Sequence, residues 1–267
     1  MTLVIEQMNR KLLGNTSVRI PEIGQGTWNY KGGIEPLRLG VSLGATHVDT
    51  AEIYGTEGVV GKAIDGMRDQ VFLATKVWPD HLSYDDVLKA CEGSLDRLGV
   101  KHVDLYMIHW PNPEFPIRET MRAMEELVKK GKIKYIGVSN FSVAQLKEAQ
   151  RSLSTSSIVS NQVKYNLDTR GIEEDLIPYC KSEKITIVAY SPLKGSAIKQ
   201  KDGILDEIAQ KYGKTRAQVI LNFLTSEDNV VAIPKADNPT HVKENCGGSG
   251  WRLSKEDRAR ISEEFKF

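Results

Sequence analysis

The sequence predicts an α/β protein: a (β/α)8 TIM barrel, read as a single domain over residues 1–267. Two observations carry that expectation. Seven short apolar runs each end in a polar or titratable residue, and helical patterns lie between them. A buried parallel strand reads as a continuous apolar run, and strand alternating with helix means a parallel sheet with helical crossovers. Polar groups at the same end of many such strands gather on one rim of a closed barrel, where barrels of this kind keep their chemistry.

The elements follow in order. Lys11-Leu12-Leu13 and Val18-Arg19-Ile20 flank Gly14-Asn15, which reads as an N-terminal β-hairpin closing the bottom of the barrel. Ile23-Gly24-Gln25-Gly26 is a first, weak strand. The seven stronger strands run into Asp49, Lys76, His109, Ser139 with Asn140, Gln162, Tyr190 and Lys235. Between them, Tyr84, Val87, Leu88, Cys91, Leu95 and Leu98 fall on one helical stripe that starts at a capping-box-like Ser83 and Asp86. Ile117, Met121, Met124 and Val128 form another, closed by Lys129, Lys130 and Gly131. Ser142 with Gln145 and Thr215 with Gln218 open two more helices, and Asn238-Pro239 reads as an N-cap followed by a first-turn proline. Ser254 with Asp257 starts a short C-terminal tail helix that buries Ile261 and Phe265. The Ser- and Thr-rich stretch from Ser152 to Ser157 is one loop.

Composition narrows the function classes. Hydrophobic content is 40 %, charged content 27 % and the formal net charge +1, with no basic field to attract nucleic acid or a membrane surface. Cys91, Cys180 and Cys246 are odd in number and far apart, so neither a disulfide framework nor a metal site is expected. The opening Met1 to Met8 has a short apolar stretch broken by Glu6 and no basic lead-in, unlike a secretory signal; a reducing cytoplasm is the expected location. Gly24-Gln25-Gly26 lacks the third glycine of a dinucleotide fingerprint. Gly55, Gly58, Gly61 and Lys62 miss P-loop spacing, because Thr56 stands where the first glycine belongs and Ala63 follows the lysine.

The chemistry lies in Asp49, Tyr54, Lys76 and His109. Each has a bland explanation when taken singly: a helix cap, a packed loop residue, a solvated lysine, a satisfied histidine. Strands about 4.8 Å apart bring side chains of matching height together, so on one rim these four meet. A lysine and an aspartate in a barrel mouth need each other to offset desolvation. A phenol beside that ammonium becomes a better acid, because the cation favours phenolate.

Longer motifs contain these residues. They are Gly44-Ala45-Thr46-His47-Val48-Asp49-Thr50-Ala51-Glu52-Ile53-Tyr54-Gly55, Thr75-Lys76-Val77-Trp78 and Asp104-Leu105-Tyr106-Met107-Ile108-His109-Trp110-Pro111. Gly137-Val138-Ser139-Asn140-Phe141, Asn161-Gln162-Val163, Ala189-Tyr190-Ser191-Pro192-Leu193 and Ile233-Pro234-Lys235 follow in order. From about residue 10 onward the sequence resembles the aldo-keto reductases. The resemblance implies a nicotinamide-dependent carbonyl reductase. Tyr54 would be the general acid that protonates the carbonyl oxygen as hydride reaches carbon, Lys76 would lower its pKa, Asp49 would hold Lys76, and His109 would orient the carbonyl. It also implies that Ser139, Asn140 and Gln162 bind the nicotinamide carboxamide and that Tyr190 stacks on the ring. Ser191 and Leu193 would cover the pyrophosphate, Lys235 would meet the adenosine 2′-phosphate, and Glu244 and Asn245 would lie near the adenine. Trp28, Trp78 and Trp110 match positions lining the substrate cleft.

Two positions depart from the family's NADPH-preferring pattern. Ala236 stands where Ser or Thr is usual, and His241 stands where an arginine would make a bidentate phosphate contact. NADPH is the favoured cofactor, with NADH use left open. The short Asn112 to Pro116 segment and the short tail imply an open cleft tolerant of many aldehydes and ketones. Partners beyond a small carbonyl substrate are not expected, and a monomer is. The competing readings are a catalytically weak binding or regulatory subunit on the same scaffold, and an unrelated barrel such as a sugar isomerase. The latter would want a Gly-rich phosphate site after its last two strands, which the sequence lacks.

Overall fold

Eight parallel strands curl around an interior that changes from apolar to polar along the barrel axis. The computed structural model describes residues 7–199 and 203–266; the apolar stretch broken by Glu6 lies outside them. β1 (Arg10–Leu12) and β2 (Arg19–Pro21) form an antiparallel hairpin. The barrel strands are β3 (Gln25–Gly26), β4 (His47–Asp49), β5 (Phe72–Val77), β6 (Val103–Ile108), β7 (Ile133–Ser139), β8 (Ile158–Lys164), β9 (Thr186–Tyr190) and β10 (Val230–Ala232). Each pairs in parallel with its neighbour in chain order. The ring closes where Ile23 bridges Ala232: Gly24 N donates to Ala232 O at 2.8 Å and Ala232 N donates to Glu22 O at 2.8 Å.

The crossover helices show why these segments fold as they do. α3 (Tyr84–Leu98) begins where Ser83 Oγ accepts from Asp86 N and ends at Gly99 in the left-handed region, buries Val87, Cys91, Leu95 and Leu98, and so keeps one stripe against the sheet. Each such side chain removed from water contributes roughly 1.5–3 kcal/mol. α4 (Ile117–Lys129) has no side-chain cap but keeps the same kind of stripe, burying Met121, Met124 and Leu127. α5 (Val143–Arg151) and α8 (Arg216–Leu224) start with complete capping boxes, and α9 (Pro239–Cys246) with Asn238 accepting from His241 N. In α10 (Lys255–Glu264) Ile261 is fully buried, and Phe265 packs partly against the core.

Four helices escape the sequence reading: α1 (Glu35–Ser42), α2 (Glu57–Ile64), α6 (Leu176–Ser182) and α7 (Ile204–Tyr212). None has a side-chain cap hydrogen bond, and all four are short, so burial against the sheet contributes most of their stability. The Ser152–Ser157 loop is tied down by Glu125, whose Oε1 accepts from the backbone N–H of Ser154, Thr155 and Ser156 at 2.7–3.0 Å. All three cysteines are free and buried. No helix among the described residues is long and apolar enough to cross a membrane.

Two features set the polarity of the barrel interior. The hairpin plugs its bottom: Leu13 and Ile20 are fully buried in one cluster with Phe72, Ala74, Leu105, Met107, Val159, Val188 and Val231. Above that layer sit Asp49, Lys76 and Gln162, all buried. Glu22, also fully buried, joins the hairpin to the C-terminal segment by accepting from Arg252 Nη2 and Ser249 Oγ, both at 2.6 Å.

His47, two residues before Asp49 on β4, has no exposed surface, and its ring meets Phe72 edge-on at 5.3 Å. Burial pushes its pKa down from 6.5 to about 4, with the Lys76 charge adding to the effect and Asp49 opposing it. As pH falls below 6.5 the unfolded chain takes up this proton first, so stability drops between pH 6.5 and pH 4 and levels off below. The loss should be on the order of 3 kcal/mol. Denaturant unfolding at pH 7 and pH 4 should show that increment in the wild type and lack it in His47→Leu; equal pH dependence in the two proteins would contradict the assignment.

Candidate active site

Asp49, Lys76 and His109 stand at the top of three adjacent strands, β4, β5 and just past β6. Tyr54 ends a single 3-10 turn, Glu52–Tyr54, that follows β4. Lys76 is fully buried. Its Nζ donates to Asp49 Oδ1 at 2.6 Å and to Thr50 O at 2.8 Å, and it lies 4.9 Å from the centroid of the Tyr54 ring. Gln162, on the opposite wall of the barrel, donates to the second Asp49 oxygen at 2.9 Å. Tyr54 Oη is 3.3 Å from His109 Nε2. Lys76 and His109 therefore flank the Tyr54 phenol, with Asp49 behind Lys76.

Electrostatics assigns their states. Burial disfavours the Lys76 ammonium, but Asp49 and then Tyr54 outweigh it and raise its pKa, so the lysine stays charged. Burial and the Lys76 charge together push His109 down to about 3, leaving a neutral imidazole at physiological pH. At Tyr54 the sequence expectation needs correction. Burial is the largest effect and raises its pKa, Asp49 adds to it, the nearby Lys76 charge pulls the other way, and the phenol ends above its ordinary value.

The aromatic residues form a wall around that centre. Trp28 meets Tyr54 edge-on at 5.1 Å, Tyr54 meets His109 at 5.4 Å, and His109 meets Trp78 at 5.6 Å. Trp28 is 55 % exposed and Trp110 45 %, so neither is a core residue; Trp78 is half-buried. Glu52 was not singled out from the sequence, yet it joins the two loops of the wall. Its Oε2 accepts from Trp78 N at 2.9 Å and its Oε1 lies 2.8 Å from His81 Nδ1. A carboxylate two residues from the phenol was the available signal.

The next strand ends carry a polar shelf. Ser139 Oγ donates to Gln162 O at 2.8 Å, Asn140 Nδ2 donates to His109 O at 3.1 Å, and Tyr190 Oη donates to Asn140 Oδ1 at 3.0 Å. Asn140 (φ 63°) and Ser191 (φ 51°) take left-handed backbone conformations, as does Asn29 (φ 53°) beside Trp28. Strained non-glycine residues of this sort concentrate at functional sites. Asn166 Nδ2 donates to Ser191 O at 3.1 Å, and Leu193 packs partly against the core. Farther along the rim Lys235 pairs with Asp237, His241 Nδ1 lies 3.1 Å from Glu244 Oε2 on α9, and Asn245 is buried. Among the described residues no group of three or more His, Cys, Asp or Glu is placed to hold a metal ion.

Comparison with known proteins decides the family. The Aldo/keto reductase family model matches residues 22–264. The chain belongs to the aldo/keto reductase family. It is thereby an NAD(P)H-dependent oxidoreductase of carbonyl groups. It is 38 % identical to the methylglyoxal reductase YeaE of Escherichia coli (strain K12), over 93 % of this chain and 92 % of that one. A crystal structure of the thermostable aldo-keto reductase Tm1743 in complex with the inhibitor epalrestat matches with a TM-score of 0.90 at 43 % identity, covering 96 % of this chain and 99 % of the other. An aldo-keto reductase from Klebsiella pneumoniae in complex with NADPH matches with a TM-score of 0.90 at 36 % identity, covering 97 % and 96 %.

The aldo-keto reductase site makes two titration predictions for the cofactor-free protein. The ultraviolet difference titration of wild type minus Tyr54→Phe should place the Tyr54 ionisation above pH 10. The His109 ring, followed by NMR, should remain neutral from pH 8 down to pH 4. A Tyr54 midpoint well below 10, or a His109 midpoint near 6, would contradict the charge states given above.

Proposed function

We propose that the chain reduces small aldehydes and ketones, α-oxoaldehydes among them, with NADPH, and that Tyr54 is the general acid. The observation that supports this most is the convergence of Lys76 and His109 on one phenol, with Lys76 locked to Asp49 at 2.6 Å. The similarity to a methylglyoxal reductase supports the substrate class, and the similarity to a structure in complex with NADPH supports the cofactor.

The donor set on the rim suits a nicotinamide. An amide ligand needs paired donors and acceptors, which Asn140 and Gln162 carry, and a flat face, which half-buried Tyr190 supplies. Ser139 would complete the carboxamide site. Ser191 and Leu193 would lie along the pyrophosphate, Lys235 with His241 at the 2′-phosphate, and Glu244 and Asn245 near the adenine. When bound, the nicotinamide supplies the hydride.

The chain's own residues do the rest. Neutral His109 donates to the carbonyl oxygen and fixes its direction; an imidazolium would compete with Tyr54 as the acid. The oxygen gains negative charge as the reaction proceeds, so donors aimed at it act on the transition state more than on the ground state. Tyr54 delivers its proton there. Lys76 stabilises the phenolate left behind, and Asp49 keeps Lys76 charged within the low-dielectric barrel. Trp28 and Trp78, with Trp110 following His109 in the chain, would supply apolar surface that accepts varied side groups.

Replacing Tyr54 by Phe removes one hydroxyl and no bulk. For methylglyoxal with NADPH, kcat should fall at least ~10²-fold while NADPH affinity changes little, since a positioned general acid contributes about 10²–10⁴-fold. Retained kcat in Tyr54→Phe would remove the acid assignment. Absence of turnover in the wild type over a panel of aldehydes, with NADPH still bound, would favour a binding or regulatory role on the same scaffold.

A further inference from the structure

We propose that Asp237 sets the cofactor selectivity of this chain: its carboxylate occupies the Lys235 ammonium and weakens the 2′-phosphate site, so that NADH serves about as well as NADPH. This rests on the nicotinamide-dependent reading above and refines it at one end of the cofactor.

Lys235 is the cation that would meet the 2′-phosphate. It stands three residues beyond β10, on the rim, and is ion-paired to Asp237 two positions on. The Asp237 carboxylate is held from its other side as well: Oδ1 accepts from the backbone N–H of Lys31 at 2.9 Å. The loop that carries Lys31 lies against this segment so closely that a Cβ on Gly32 would come 2.6 Å from the Asp237 carbonyl. The acid is therefore held by two contacts, the Lys235 ammonium and the Lys31 N–H. Burial works against its ionisation, yet the Lys235 contact and the Lys31 N–H hold its carboxyl below the ordinary carboxylate range, so it is an anion at neutral pH.

The arginine expected as a second cation at such a site is not in the sequence at that position. His241 stands at that position, and its Nδ1 faces Glu244 Oε2 at 3.1 Å, so another carboxylate adjoins the region. Lys31 adds positive charge only through space. A phosphate dianion arriving at Lys235 must either displace Asp237 or lie beside it. Displacement leaves Asp237 without its ammonium, and coexistence places like charges a few ångströms apart in a partly exposed site. A ribose 2′-hydroxyl meets the opposite situation, because it can donate to the carboxylate, the contact by which acidic residues favour NAD over NADP.

The test is the equilibrium dissociation constant of NADPH and of NADH, each measured by quenching of the intrinsic tryptophan fluorescence, for the wild type and for Asp237→Asn. Asparagine keeps an acceptor for Lys31 N–H and removes only the charge. The wild-type ratio of the two constants should lie within about fivefold of one. The variant should bind NADPH about tenfold more tightly and NADH about twofold more weakly, as expected for loss of one unit charge near a phosphate at moderate ionic strength. The tightening should shrink at high salt. Wild-type preference for NADPH by more than about thirtyfold, or an unchanged ratio in Asp237→Asn, would overturn the proposal while leaving the reductase reading intact. Failure of the wild type to bind either dinucleotide would overturn the reductase reading itself. The wild-type ratio needs no variant, so a poorly folding substitution does not remove the test.

Discussion

An ammonium with no exposed surface is the constraint around which the upper half of this barrel is arranged. Lys76 lies inside the sheet, where an unpaired charge would cost several kcal/mol. Asp49 on the neighbouring strand offsets that cost, Thr50 supplies a carbonyl, and Gln162 reaches across the barrel to satisfy the other carboxylate oxygen. Once this set is complete, a fixed positive charge sits beside the Tyr54 phenol and against His109. The neutral state of the imidazole and the stabilisation available to a phenolate both follow from it.

The barrel permits such a charge because its interior is layered. Phe72, Ala74 and Lys76 alternate inward along β5, and the hairpin seals the lower layer with Leu13 and Ile20. The lower layer is apolar and holds a buried neutral histidine, His47; the upper opens at the rim. Of the four non-glycine residues in the left-handed region among the described residues, Asn29, Asn140 and Ser191 lie on this rim and Lys184 precedes β9 at the other end.

Much of the fold is written in local chemistry. Capped helices such as α3, α5 and α8 are legible because Ser83, Ser142 and Thr215 sit three residues before a backbone N–H they accept from. Uncapped α4 is legible from its long stripe, whereas the short uncapped α1, α2, α6 and α7 are not, since their stability comes from neighbours far away in sequence. Asp49, Lys76 and His109 were found at strand ends and Tyr54 in the loop after β4, but the balance of forces on that phenol was not. Proximity to Lys76 was foreseeable; the extent of burial, which outweighs it, was not. Glu52 and Asp237 escaped for a related reason. A surface-type carboxylate acquires meaning only when a second loop arrives, bringing Trp78 N and His81 to one and Lys31 N to the other.

The one-dimensional pattern was enough for the parallel barrel, its plugging hairpin and the polar rim, because strand and helix periodicities and the ends of apolar runs are properties of neighbouring residues. Which groups ionise, which carboxylate holds which cation and how open the aromatic wall stands were left to tertiary packing. Those outcomes depend on desolvation and on distances of a few ångströms between side chains such as Asp49 and Gln162, 113 residues apart along the chain.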